Sequence, residues 1–90
     1  MIMFFTYVLY SADFNRIYIG QSHDPELRLS YHNSGTEKST KPFRPWIIIH
    51  IETFNTRSEA MKREKELKSS TGRRWIRETF LNSGVRQLTD

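Results

Sequence analysis

The chain has 90 residues, 37% of them apolar and 27% charged, with a formal net charge of +4 and no cysteine. That length makes one domain with a small core, and the composition excludes extended disorder. The missing thiols exclude disulfides, cysteine-ligated zinc and cysteine nucleophiles; they fit a reducing compartment, and a cytoplasmic location is expected.

The positive charge is concentrated between Arg57 and Arg77, where eight Lys/Arg face three Asp/Glu. Such a segment suits a polyanionic partner. On charge alone it equally suits a solvated, basic helix surface. The apolar start, Met1 to Tyr10, is too short to span a bilayer and lacks the flanks of a signal peptide, so no membrane role is expected.

Residues 3–11 (MFFTYVLYS) are aromatic, β-branched and uncharged, which predicts a strand buried on both faces. Ala12–Arg16 holds Asp and Asn and suits a turn. Ile17–Gln21 (IYIGQ) predicts a second strand, closing a β-hairpin. Asp24-Pro25 signals a helix start, with Asp as the cap and Pro in the first helical position; the helix runs to Ser34 and stops at Gly35. Leu27 and Tyr31, four apart, are expected to pack together on one face of it.

Thr36–Arg44 is polar and basic and reads as a loop. Trp46–Thr53 (WIIIHIET) is the clearest strand. Thr56 and Glu59 have the spacing of a capping box, opening a second helix to Lys68. Ser70–Gly72 is expected to break it. A third helix over Arg73–Ser83 then carries a stripe of Trp75, Ile76, Thr79 and Phe80 and ends at Gly84. The sum is β-β-α-β-α-α: an α+β domain over residues 1–84, with a small three-stranded, mostly antiparallel sheet flanked by helices. Residues 85–90 are expected to form a loose tail.

Five positions attract chemical interest. Glu64 shares the apolar stripe of the second helix with Ala60, Met61 and Leu67, while most of its charged neighbours point elsewhere. A carboxylate turned inward is costly unless it is paired or binds a metal. On these residues alone, an internal salt bridge to an Arg or a stripe edge that reaches solvent is the better explanation. Arg28 and His32 are four apart on the first helix; Arg can hold a phosphate through paired N–H groups, and His can orient or accept a proton. Their bland alternative is an exposed pair. Tyr7 and Tyr18 lie mid-strand in the hairpin, where pairing can bring their hydroxyls together, although buried tyrosines usually only pack. His23, His32 and His50 lack the spacing of a metal triad.

Together these positions resemble the GIY-YIG nuclease superfamily, nearest to its small stand-alone members related to the N-terminal domain of the excinuclease UvrC. Thr6-Tyr7-Val8 stands in the place of the first motif, and Tyr18-Ile19-Gly20 matches the second letter for letter. Arg28–Asn33 (RLSYHN) matches the helix motif. Ser58–Lys68 (SEAMKREKELK) fits the family's A-x-x-x-E-x-x-[IL]-K pattern, with Glu64 at the metal ligand. The first motif departs from the family: Phe5-Thr6 replace its Gly and Ile. Asn82 is the one candidate for a late Asn found in some relatives, and no role is assigned to it.

The resemblance implies an endonuclease that hydrolyses DNA phosphodiester bonds in line, with RNA not excluded, in DNA repair or recombination. It implies one Mg²⁺ or Mn²⁺ held by Glu64. Arg28 would clamp the phosphate. Tyr18, supported by Tyr7 and with His32 as an orienting contact, would take a proton from the attacking water. Lys38, Lys41 and Arg44 in the loop, with Arg73, Arg74 and Arg77 on the third helix, are expected to touch flanking phosphates without reading sequence. The oligomeric state is open, and a targeting partner is conceivable for so small a domain. Two rival readings are a nucleic-acid-binding module of the same fold without catalysis, and a protein-interaction domain presenting Trp46 and Trp75 as exposed aromatic residues.

Overall fold

The computed structural model describes residues 2–82; the side chain of Asn82, and the expected helix end and tail beyond it, lie outside the described residues. β1 (Phe4–Ser11) and β2 (Arg16–Ser22) form an antiparallel hairpin. Asn15 makes its turn with φ of 53°, a left-handed conformation that Asn tolerates better than most residues. β3 (Ile47–Phe54) pairs antiparallel with the other edge of β1, giving the order β2-β1-β3. The central position of β1 explains its uninterrupted apolar run, for both of its faces are covered.

The pleat sends alternate residues to two cores. Val8 and Ile19 join Leu67 and Ile76 on one side. Tyr7 and Leu9 join Trp46 on the other, with Tyr18, Leu29 and Ile48 packed against them.

α1 (Pro25–Ser34) starts as expected: Asp24 accepts from the Leu27 N–H, and Gly35 closes the helix with φ of 85°. Its inward face differs from the expectation. Leu27 is 61% exposed. Pro25 and His32 are buried, and Leu29 packs on the Tyr7 core. Tyr31 receives the Arg28 guanidinium over its ring, 4.2 Å from the centroid. With few apolar residues in ten, the spacing of Leu27 and Tyr31 competed with that of Pro25, Leu29 and His32 (i, i+4, i+7), and the sheet selected the latter.

The loop contains a short 3-10 turn, Lys41–Phe43, and is pinned at both ends. Asn33 donates to the Trp46 carbonyl and accepts from its N–H, at 3.0 and 2.7 Å. The Trp46 indole donates to the Thr40 carbonyl at 2.9 Å. Trp46 is therefore not the exposed aromatic expected: it is 3% exposed, because its N–H finds a partner indoors. Trp75 is 39% exposed.

α2 (Arg57–Lys68) carries the complete capping box of Thr56 and Glu59. Ala60 and Leu67 are buried, but Met61 is half exposed. Arg63 takes an inward place instead, gripping Glu52 of β3 through Nε at 2.9 Å and Nη2 at 3.1 Å. The expected break at Ser70–Gly72 is the first turn of α3 (Ser70–Ile76), capped by Ser69. Gly72 serves close packing rather than termination: a Cβ there would lie 2.4 Å from the Glu66 carbonyl oxygen. The chain continues as a π-helical turn, Arg77–Asn82, not foreseen from sequence. Of the expected stripe, Ile76 is buried and Phe80 packs beside it, whereas Thr79 faces out. No helix among the described residues is long and apolar enough to cross a membrane.

Candidate active site

In the hairpin register Tyr7 lies opposite Gly20, and Tyr18 opposite Leu9. The two tyrosines are thus diagonal neighbours on one face. Their rings are 6.4 Å apart. Gly20 is what allows this, for a Cβ at that position would sit 2.6 Å from the Tyr7 hydroxyl. The glycine of the YIG motif is therefore a space for a phenol.

α1 supplies the next two groups. Arg28 is within polar reach of the Tyr7 hydroxyl and acts on Tyr18 as well. The His32 ring packs against Tyr18, 4.5 Å between centroids. His32 is fully buried. Its Nδ1 lies 2.9 Å from the Thr40 hydroxyl. That hydroxyl donates to the Glu37 carbonyl, so Nδ1 is the nitrogen that carries hydrogen. Nε2 is left as a bare acceptor without a hydrogen-bond partner. Burial, with the charge of Arg28, holds the imidazole below its ordinary pKa, so it is neutral at pH 7.

Glu64 comes from α2, which packs against β1 and β2. Its charge is felt by both phenols. Its side chain is 21% exposed, and Lys68 one turn on donates to Oε2 at 2.7 Å. Lys68 is itself about half exposed, so this is a surface pair of small worth, not a buried lock.

Burial raises the pKa of both phenols above the ordinary value near 10. Arg28 pulls the other way on both, and Lys68 does so on Tyr18, but burial prevails. The bare Glu64 carboxylate also disfavours phenolate; a divalent cation held there would reverse that sign. Among the described residues no group of three His, Cys, Asp or Glu could hold a metal. A single, partly exposed carboxylate fits a hard cation that keeps most of its water, and does not fit a zinc site with three protein ligands.

The outlying basic residues do not join this cluster. Lys41 and Arg44 line a shallow cavity with Asn33, Pro42 and Pro45. Lys38 is exposed nearby in the loop. Arg73 and Arg77 lie by the hairpin turn, and Arg74 is exposed on α3. Two contributors escaped sequence reasoning. Thr40 sets the His32 tautomer, and Asn33 fixes the loop to α1. Asn33 closes the RLSYHN motif and was the one available signal; Thr40 had none.

Residues 3–77 match the family model described as the GIY-YIG catalytic domain. The chain belongs to the GIY-YIG family. Similar curated relatives carry the name UPF0213 protein. One from Enterococcus faecalis is 48% identical over 72% of this chain and 76% of its own. One from Staphylococcus haemolyticus is 38% identical over 72% and 79%, and one from Staphylococcus aureus 36% over 81% and 89%. No solved structure matches. GIY-YIG membership places the chain in a nuclease family whose members act on nucleic acid and generally use a divalent metal; the relatives' names assign no particular activity.

Proposed function

We propose that this GIY-YIG protein is a metal-dependent endonuclease that hydrolyses DNA phosphodiester bonds by in-line attack of water. The observation that carries the reading is the grouping of two hairpin phenols, the Arg28 guanidinium and the neutral His32 on one face, with the Glu64 charge acting on both phenols.

Glu64 would hold one Mg²⁺ or Mn²⁺, which supplies Lewis-acid stabilisation of charge on the phosphate and the departing 3′ oxygen. Arg28 holds a non-bridging oxygen and offsets the charge that builds as water attacks phosphorus. Tyr18, as the phenolate that a cation at Glu64 would favour, would take the water's proton, with Tyr7 supporting it and His32 fixing the Tyr18 ring. The P–O3′ bond breaks with its electron pair leaving on oxygen. Lys38, Lys41, Arg44 and Arg73, Arg74, Arg77 contact flanking phosphates without base readout. A cytoplasmic role in DNA repair or recombination belongs to the same proposal.

One observation favours the second reading, a non-catalytic nucleic-acid-binding module: Lys68 occupies a Glu64 oxygen that a cation would need. Nicking of supercoiled plasmid and of branched DNA with Mn²⁺ separates the two. Wild type should nick, and Arg28→Ala and Glu64→Ala should each lose about a hundredfold or more in rate. Equal products from all three proteins, or none from wild type, would remove the nuclease reading.

A further inference from the structure

A polar cavity of about 390 Å³ opens at the tip of the hairpin, lined by Phe14, Asn15, Arg16, Ile17, Arg73 and Arg77. Three of these six are arginines and none is acidic. Contacts on the protein side hold all three in place. Arg77 donates from Nη1 to Asn15 Oδ1 at 2.8 Å and from Nη2 to the Asn15 carbonyl at 3.0 Å. Tyr10 donates to the same Oδ1 at 3.2 Å. Arg73 donates from Nε to the Lys68 carbonyl at 3.0 Å. The Arg16 guanidinium sits over the Phe43 ring, 4.1 Å from its centroid.

These bonds use two of the five N–H groups of Arg77 and one of those of Arg73. The remaining donors surround a space with no carboxylate in its lining. Like charges gathered this way repel one another unless an anion comes between them. Planar guanidinium groups match the oxygens of a phosphate two at a time. Asn15 presents both its side-chain and its backbone oxygen to Arg77.

Resting on the nucleic-acid reading above, we infer that this cavity is a phosphate-binding subsite that grips the substrate backbone a few nucleotides from the bond to be cut. Its place on the hairpin supports a backbone phosphate over a free anion. Arg16 opens β2 two residues before Tyr18, so both project from the same face of that strand, with Cα atoms roughly 7 Å apart. A strand with its reacting phosphate at Tyr18 would carry neighbouring phosphates toward Arg16. Arg73 and Arg77 thus act with Arg16 and Asn15 at one site, and Arg74 is not part of it.

The test is fluorescence anisotropy of a labelled DNA duplex in EDTA, so that cutting plays no part, over a series of salt concentrations. Wild type is compared with Arg16→Gln and Arg73→Gln, which spare the Arg77–Asn15 anchor, and with Arg57→Gln on α2 as a control. Each cavity variant should bind about tenfold more weakly, and the slope of log affinity against log salt should fall by about 0.9 for one lost phosphate contact. The control should keep the wild-type slope. Unchanged slopes in both cavity variants would overturn the subsite, even in a protein that nicks plasmid. Titration with inorganic phosphate provides the other arm. Tight binding of free phosphate that both variants lose, with DNA affinity intact, would also overturn it in favour of a small-anion site. Loss of DNA binding in a protein that never nicks would uphold the subsite while removing the nuclease.

Discussion

Gly20 shows how a motif residue with no functional group can govern the chemistry of its neighbour. A methyl group there would meet the Tyr7 oxygen at 2.6 Å, and Tyr7 is buried with little room to retreat. Gly20→Ala should lower the plasmid-nicking rate by about ten- to a hundredfold through misplacement of the phenol, and stability by about 1–3 kcal/mol through overpacking. Adding Tyr7→Phe should recover neither, because the ring carbon Cζ would still lie 2.7 Å from the new methyl; full nicking by Gly20→Ala would contradict this role. The phenols themselves set a pH expectation. Both titrate above their ordinary value, so at neutral pH each is protonated unless a cation intervenes. A relay that needs phenolate gains active form as pH rises. The logarithm of the nicking rate should therefore climb between pH 7 and 9 toward a slope of one, and Tyr18→Phe should flatten it. A flat wild-type profile would remove Tyr18 from proton transfer.

The helices and strands are held in mutual position by a few polar clasps, among them Glu52 with Arg63. Burial works to raise the Glu52 carboxyl, but hydrogen bonds from Arg63 and His50 outweigh it and hold it below its ordinary value near 4.5. A group depressed in this way stabilises the fold above its unfolded pKa and loses that contribution as pH falls through the folded one. Glu52→Gln should cost about 1–3 kcal/mol at pH 7 by thermal or chemical unfolding, and the difference from wild type should shrink below about pH 4.5. A gap that persists in acid would mean packing, not charge, joins β3 to α2. Sequence pattern revealed the strands well, because aromatic and β-branched runs have few other uses, and both helix caps were legible from Asp24-Pro25 and Thr56-Glu59. It misled where two readings of one residue type compete. Gly72 looks like a breaker until the neighbouring backbone of α2 is seen at 2.4 Å. Leu27 looks like core until the sheet claims Leu29 and His32 instead. Trp46 looks like surface because the carbonyl that satisfies its indole belongs to Thr40, in a segment that reads only as loop. At the site, the tyrosines, Arg28, His32 and Glu64 drew attention through family order; which His32 nitrogen carries hydrogen could emerge only from Thr40 in three dimensions.

At the level of the whole molecule, basic side chains stand apart from the phenol cluster in two groups, one in the loop and one by the hairpin turn. If about six of them meet phosphates, DNA affinity should fall on the order of a thousandfold between 50 and 200 mM salt, measured by anisotropy without divalent ions. Salt-insensitive binding would separate these residues from the substrate path.

The pair of hydrogen bonds between Asn33 and Trp46 has a kinetic meaning. It joins the end of a helix to the start of a strand, so the twelve residues between them are tethered at both ends. If Lys41 and Arg44 contact a duplex as proposed, they would meet it as a finished surface rather than a floppy tether that must settle first. Encounters should be limited by diffusion and orientation alone, and severing the bond with Asn33→Ala should slow capture of DNA more than it hastens release.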